Sequence, residues 1–181
     1  MKDEKFIKKL IPFSLFALVI ILDQITKILV VKNIPPYTIL WSFWDGFVRI
    51  VHVRNLGVAF SFGYSWPLLL RKFVFSVIPL LVIAYVIKLY FKSEEFTGLQ
   101  RWCICAILGG GIGNLIDRIF RPDGVVDFID VQWFGFEKSP LKLFRMERWP
   151  TFNVADAMIV VFGIILIITF IVSLSKNEKR S

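Results

Sequence analysis

Five aspartates stand where chemistry could be done. Asp23 lies in "DQITK", Asp117 in "NLID", Asp127 and Asp130 in "VVDFID", and Asp156 in "NVAD". Three of them fall inside long apolar stretches, where an acid at mid-depth of a spanning helix costs roughly 2.5–3.5 kcal/mol. Two carboxyl groups held close together cannot both ionise, so one keeps a proton at neutral pH. The ionised partner can take a proton from water as it attacks an amide carbonyl, while the protonated partner donates to the carbonyl oxygen. Such a pair needs no metal, histidine or nucleophilic serine. Other chemistries have fewer materials. His52 is the single histidine, one candidate base for a Ser–His–Asp triad and too little for a multi-histidine zinc site. Cys103 and Cys105, two apart on a helix, point to different faces and read as small buried hydrophobes.

Each acid also has a local reading. Asn153 is a good N-cap and Asp156, three residues on, is placed like the acid of a capping box at a helix start that favours anions. Asn114 and Asp117 share the same spacing, which puts amide and carboxyl group on one helix face. Capping fails for Asp117, which sits in the last turn of its helix; Arg118 next to it could offset the charge and snorkel to the headgroups. Asp23 precedes Lys27 by four residues, the favourable order for an ion pair. Gly109 and Gly113 have the small-xxx-small spacing that lets helices approach closely. On spacing alone Asp117 pairs with Asp156, because both lie on helices.

The elements that must position these acids are membrane helices. The 181 residues are 56% hydrophobic with a mean hydropathy of +0.68, and the apolar excess is gathered in four blocks. These run from about Leu10 to Val31, Phe73 to Phe91, Leu99 to Ile119 and Val154 to Leu174, each near the roughly 20 residues a bilayer requires. They imply one integral membrane domain over 1–181, with outer loops at about 33–70 and 120–152. The first block is too long, and lacks a small-residue cleavage site, to be a removed signal peptide. Four spans put both termini on one side, and the basic ends "MKDEKFIKK" and "SKNEKRS" make that side cytoplasmic. The net charge of +8 fits a membrane surface; its basic residues form no single stripe for nucleic acid. In the outer loops "FVRIVHVRN" alternates as a strand does, and "GVVDFIDVQWFGF" follows the turn signal "RPDG" as another. Trp41, Trp44, Trp66 and Trp133 suit the headgroup belt. Asp117, Asp127, Asp130 and Asp156 then converge near one membrane edge, with Asp23 about two turns below it.

In this order, "DQITK", "RNLGVAFS", "GGGIGNLIDRI", "VVDFIDV" and "FNVADAMI" closely resemble the lipoprotein signal peptidases, the signal peptidase II family of bacteria. The resemblance implies an all-α membrane bundle of four transmembrane helices, with a small extracytoplasmic β-cradle and a short surface helix. It implies an aspartic endopeptidase of the inner membrane, active at the outer face. Its substrates would be prolipoproteins, cut just before a diacylglyceryl-modified cysteine. The catalytic pair would be Asp127 and Asp156, which moves the partner from Asp117 to the loop strand. Asp23, Asn55, Asn114, Asp117, Arg118 and Asn153 would orient the site and substrate. No cofactor or metal is implied; the partners are substrate and membrane lipid, and the enzyme is expected to be a monomer. Val58 departs from the usual alanine of its motif. The segment before "NVAD" is long, and its Lys138, Lys142, Arg145 and Arg148 could lie on headgroups. Three rivals remain: a proton-coupled transporter using intramembrane acids, a magnesium-dependent phospholipid-head-group transferase using Asp123, Asp127 and Asp130, and a non-enzymatic membrane scaffold.

Overall fold

A computed structural model of the chain describes residues 2–56, 66–133 and 147–178. Val58, Lys138, Lys142 and Arg145 lie outside them. Among the described residues, four helical spans are long and apolar enough to cross a membrane: Glu4–Asn33, Leu69–Lys92, Gly98–Phe120 and Val154–Ser175. Their outward faces are aliphatic, as at the exposed Ile21, Leu81, Ile164 and Ile171, and the chain is a multi-pass membrane protein.

Helix starts and breaks follow from single residues. The apolar pattern begins at Leu10, yet a helix already covers Lys2–Leu10 (α1), with Lys5 and Lys8 set against Phe6 and Ile7. Pro12, which has no N–H to donate, marks the turn before α2 (Phe13–Asn33). The second span begins earlier than its apolar block, as α3 (Leu68–Lys72), a π-helical stretch Phe73–Val77, and α4 (Ile78–Lys92). Pro79 explains the widened turn: it cannot donate, and its ring crowds the carbonyl four residues back. A capping box of Thr97 and Gln100 opens α5 (Gly98–Phe120), and α6 (Val154–Glu178) completes the bundle.

α5 is the central helix, packed on α2, α6 and α4. Its glycines make this possible. A β-carbon on Gly110 would lie 2.6 Å from the Ala155 carbonyl oxygen, and one on Gly113 would lie 2.6 Å from Asp23 Oδ2. Ile83 and Tyr90 of α4 pack with Ile104, Cys105 and Leu108 of α5. Both cysteines are buried and unpaired.

The sheet is antiparallel, in the order β1 (Ile39–Phe43), β2 (Val48–Asn55), β3 (Val125–Val131). β2 and β3 coincide with the alternating stretches. The turn before β3 requires Gly124, whose φ is +90° and whose β-carbon would run into the Asn55 carbonyl oxygen. Val126 and Phe128 bury one face of β3 against Val30 and Ile34 at the end of α2. That leaves Asp127 on the other face. Past β3 the chain returns along its free edge: Phe152 and Ile129 exchange backbone hydrogen bonds of 2.8 and 3.0 Å. α6 therefore starts directly beside Asp127.

Candidate active site

The site grows from one buried cation. Lys27 Nζ has three N–H groups and three acceptors: Asp23 Oδ2 at 2.8 Å, Asp117 Oδ2 at 3.2 Å and Asn114 Oδ1 at 3.0 Å. All three charged side chains have 0% exposure, so none is left unpaired in the apolar bundle. The acids also tie elements together. Asp23 Oδ1 accepts from the Ala155 backbone N–H at 3.0 Å, holding the start of α6. Asp117 accepts from the Val126 N–H at 3.1 Å, holding β3, and from Arg121 Nε at 2.9 Å. Gln24 Nε2 bridges the Gly113 carbonyl oxygen, Asp23 and Asp117.

Lysine can only donate, so the atom of Asn114 facing it must be its oxygen, and the amide nitrogen must face the other way. That nitrogen donates to Asp156 Oδ1 at 2.7 Å. Asn153 is fixed by the same logic. Its Oδ1 accepts from the Asp156 backbone N–H at 3.0 Å, and the Asn153 N–H returns a bond to Asp156 Oδ2 at 3.2 Å. The capping geometry expected for "NVAD" is thus present, and it turns the Asn153 amide nitrogen outward. That nitrogen donates to Asp127 Oδ1 at 2.8 Å and to Asn114 Oδ1 at 3.0 Å. Asn55 is paired with Val125 in the sheet, a diagonal neighbour of Asp127 on the same face. Its amide nitrogen donates to Asp127 Oδ2 at 3.0 Å.

Asp127 and Asp156 thereby open onto one cavity of about 310 Å³, which Asn55, Asn114 and Arg118 also line. Trp149, Phe152, Ile159 and Val160 form its apolar wall, and Val160 carries that wall down α6 to a lipid-facing position. Burial, and then the charge of Asp156, push the Asp127 carboxyl up to about 7, against the opposing pull of the Asn55 and Asn153 amides. A carboxyl in that range holds a proton at neutral pH and can release it in a reaction.

Every candidate residue lies in this neighbourhood, in two layers. Asp127, Asp156, Asn55, Asn114 and Arg118 reach the cavity; Asn153, Asp23 and Asp117 stand behind it. The spacing-based pairing of Asp117 with Asp156 does not hold, because Asp117 is enclosed by Lys27, Arg121 and β3. Lys27 and Arg121 make the ion-pair contacts to Asp117, while Arg118 lines the cavity and interacts electrostatically with Asp156 and Asp127 first and with Asp117 less. His52 is buried elsewhere, with Nδ1 2.7 Å from the Ile34 carbonyl oxygen. Arg148 is held by Asp130, with Nε 2.7 and 2.8 Å from the two carboxylate oxygens, rather than lying on headgroups. Asp127 and Asp130 face opposite sides of β3, and no three potential ligands converge as a metal site among the described residues. Sequence reasoning read Lys27 only as the partner of Asp23. Its second carboxylate and its asparagine come from a distant helix, so no local pattern announced them. Arg121, four residues after Asp117, has a spacing that marks an ion pair in the sequence itself.

A family model described as "Signal peptidase (SPase) II" matches residues 15–172. A lipoprotein signal peptidase of Treponema pallidum is 46% identical over 173 residues, covering 96% of this chain and 87% of its own. One from Treponema denticola is 46% identical over 169 residues and covers 93% of each. A bacterial membrane enzyme solved by the in meso method at 2.3 Å resolution superposes with a TM-score of 0.75 at 25% identity, covering 94% of this chain and 92% of that one.

Proposed function

The chain belongs to the signal peptidase II family, and from that premise we propose that Asp127 and Asp156 form an aspartic pair that cleaves the signal peptide from diacylglyceryl-modified prolipoproteins. The observation that carries this reading is the shared cavity: two acids from separate elements, one on the sheet and one on a helix, oriented by the same asparagine.

One proton is shared by the pair at neutral pH. Water enters between the scissile carbonyl and the ionised carboxylate, which takes one of its protons as the oxygen bonds to the carbonyl carbon. The protonated acid gives its proton to the carbonyl oxygen, forming a gem-diol. The carbon–nitrogen bond then breaks as the carboxyl proton passes to the leaving amine, while one gem-diol hydroxyl gives its proton to the ionised carboxylate as the carbonyl re-forms, so the pair again holds one proton. Asn55, Asn114 and Asn153 are positioning residues. Their amides hold four carboxylate contacts fixed, so little reorganisation is needed during the reaction.

The cavity's depth supports the substrate class. Its wall descends along α6 to Val160, so a substrate cysteine carrying two acyl chains can approach sideways while the chains stay in the bilayer. The active site is assigned to the outer face of the cytoplasmic membrane, with both termini inside and one chain sufficient. The test is cleavage in detergent of matched prolipoproteins, with and without the diacylglyceryl group, and mass analysis of the products. Only the modified form should be cut, immediately before its cysteine, and EDTA should not slow the cut. Loss of activity with EDTA that magnesium restores would overturn the aspartic reading.

A further inference from the structure

Three successive glycines of α5 face three different helices. A β-carbon on Gly109 would lie 2.8 Å from the Phe16 carbonyl oxygen of α2, one on Gly110 2.6 Å from the Ala155 carbonyl oxygen of α6, and one on Gly111 3.3 Å from Ile83 Cδ1 of α4. Each residue turns a helix by about 100°, so α2, α6 and α4 stand around α5 in that order. α2 and α6 close on each other, while α4 and α6 barely touch among the described residues. A groove therefore runs between α4 and α6, with α5 as its floor. Its upper end is the peptidase cavity, to which the floor contributes Asn114 and the α6 wall Asp156. About two full turns away from the sheet, on the same two stripes, stand Ile107 and Gly163. Ile107 is half-buried between the buried Ala106 and Leu108. Gly163 is half-buried too, with nothing within 4 Å of an added β-carbon. At the far end Phe170 of α6 meets Phe96, in the turn between α4 and α5, at 6.3 Å and closes the groove.

The groove's length says what fits it. From Asp156 to Phe170 α6 advances roughly 21 Å. A helix that crosses the whole bilayer core needs about 30 Å and would overrun the closed end. The apolar segment of a signal peptide has only about 7–15 residues, or roughly 10–22 Å when helical. That segment must also leave the cavity on the amino side of the scissile bond, and the groove meets it with aliphatic walls at Ile83 and Leu166. We propose that this groove receives the apolar helix of the substrate's signal peptide. Closest approach is at Gly163, where the missing side chain lets two backbones come together. Given the peptidase reading on which this rests, the diacylglyceryl chains leave past Val160, on the exposed side of α6.

The test uses the full chain in detergent with a diacylglyceryl-modified prolipoprotein. Gly163→Leu should raise KM roughly fivefold or more, with kcat held within about twofold. Its unfolding temperature should hold, since the first added carbon meets open space. Val161→Phe adds bulk on the exposed, opposite side of α6 and should leave both constants unchanged. Position is then read directly in the Asp127→Asn background, which should bind substrate without cutting it. There Gly163→Cys should form a disulfide with a cysteine placed in the signal peptide's apolar segment, and Val161→Cys should not. Equal KM changes at the two positions, equal crosslinking, or a disulfide from Gly163→Cys to a second copy in place of substrate would each overturn the groove. In those cases, cleavage by the unsubstituted chain would still uphold the peptidase reading; failure of that chain to cut would overturn both.

Discussion

Lys27 shows how one residue sets the polarity of a site it does not enter. Its ammonium fixes the Asn114 amide, which in turn aims a donor at Asp156. Replacing it by methionine would leave Asp23 and Asp117 facing each other in an apolar bundle without a cation between them. We expect Lys27→Met to cost about 3–5 kcal/mol of stability, read as an earlier unfolding transition in detergent; an unchanged transition would mean that the network is not closed as described. Asp127 makes a prediction about pH. Its folded pKa, about 7, stands above its ordinary 3.8, so the folded chain holds this proton more tightly than the unfolded chain does. The resulting stabilisation is complete below 3.8 and is lost as pH climbs through about 7. Asp127→Asn removes this component, so its unfolding temperature should gain on that of the unsubstituted protein between pH 5 and 8. Cleavage should fall over the upper part of the same range, as the pair loses its shared proton. Parallel stability curves, or a rate still rising above pH 8, would contradict this.

At the scale of elements, contact between α5 and α6 rests on a missing side chain. Gly110→Ala should force these helices apart, lowering both unfolding temperature and cleavage. Gly163→Ala, with nothing within 4 Å of the added carbon, should be neutral or stabilising by up to about 1 kcal/mol. Thermal unfolding of the two variants side by side checks the pair, and equal effects would contradict it. What was legible in the sequence here was local: apolar length showed the four spans, alternation showed β2 and β3, and "NVAD" showed its cap. What was not legible depended on partners far along the chain. Phe152 pairs with Ile129 only because the fold returns the chain to that edge, and it is this pairing that seats Asp156 beside Asp127. The same distance hid the link from Lys27 to Asn114 and the pair Arg148–Asp130. The widened turn around Phe75 was hidden for another reason, since Pro79 lies within an apolar run that hydropathy reads as uninterrupted.

The whole molecule is a bundle and a sheet, each contributing one acid to a cavity between them. Its placement across the membrane has a direct consequence. Cys103 and Cys105 are buried, so an introduced cysteine can report alone. On intact spheroplasts an impermeant maleimide should label Asp123→Cys, and should label Lys5→Cys only after permeabilisation; the reverse would invert the orientation. The central claim is that the two acids act as one unit although they come from different parts of the fold. The most direct measurement is turnover of a diacylglyceryl-modified prolipoprotein in detergent by Asp127→Asn, Asp156→Asn and the double variant, each shown to unfold cooperatively. Each single substitution should abolish cleavage, and the double should be no worse than either. Near-normal turnover in either single variant would contradict the account.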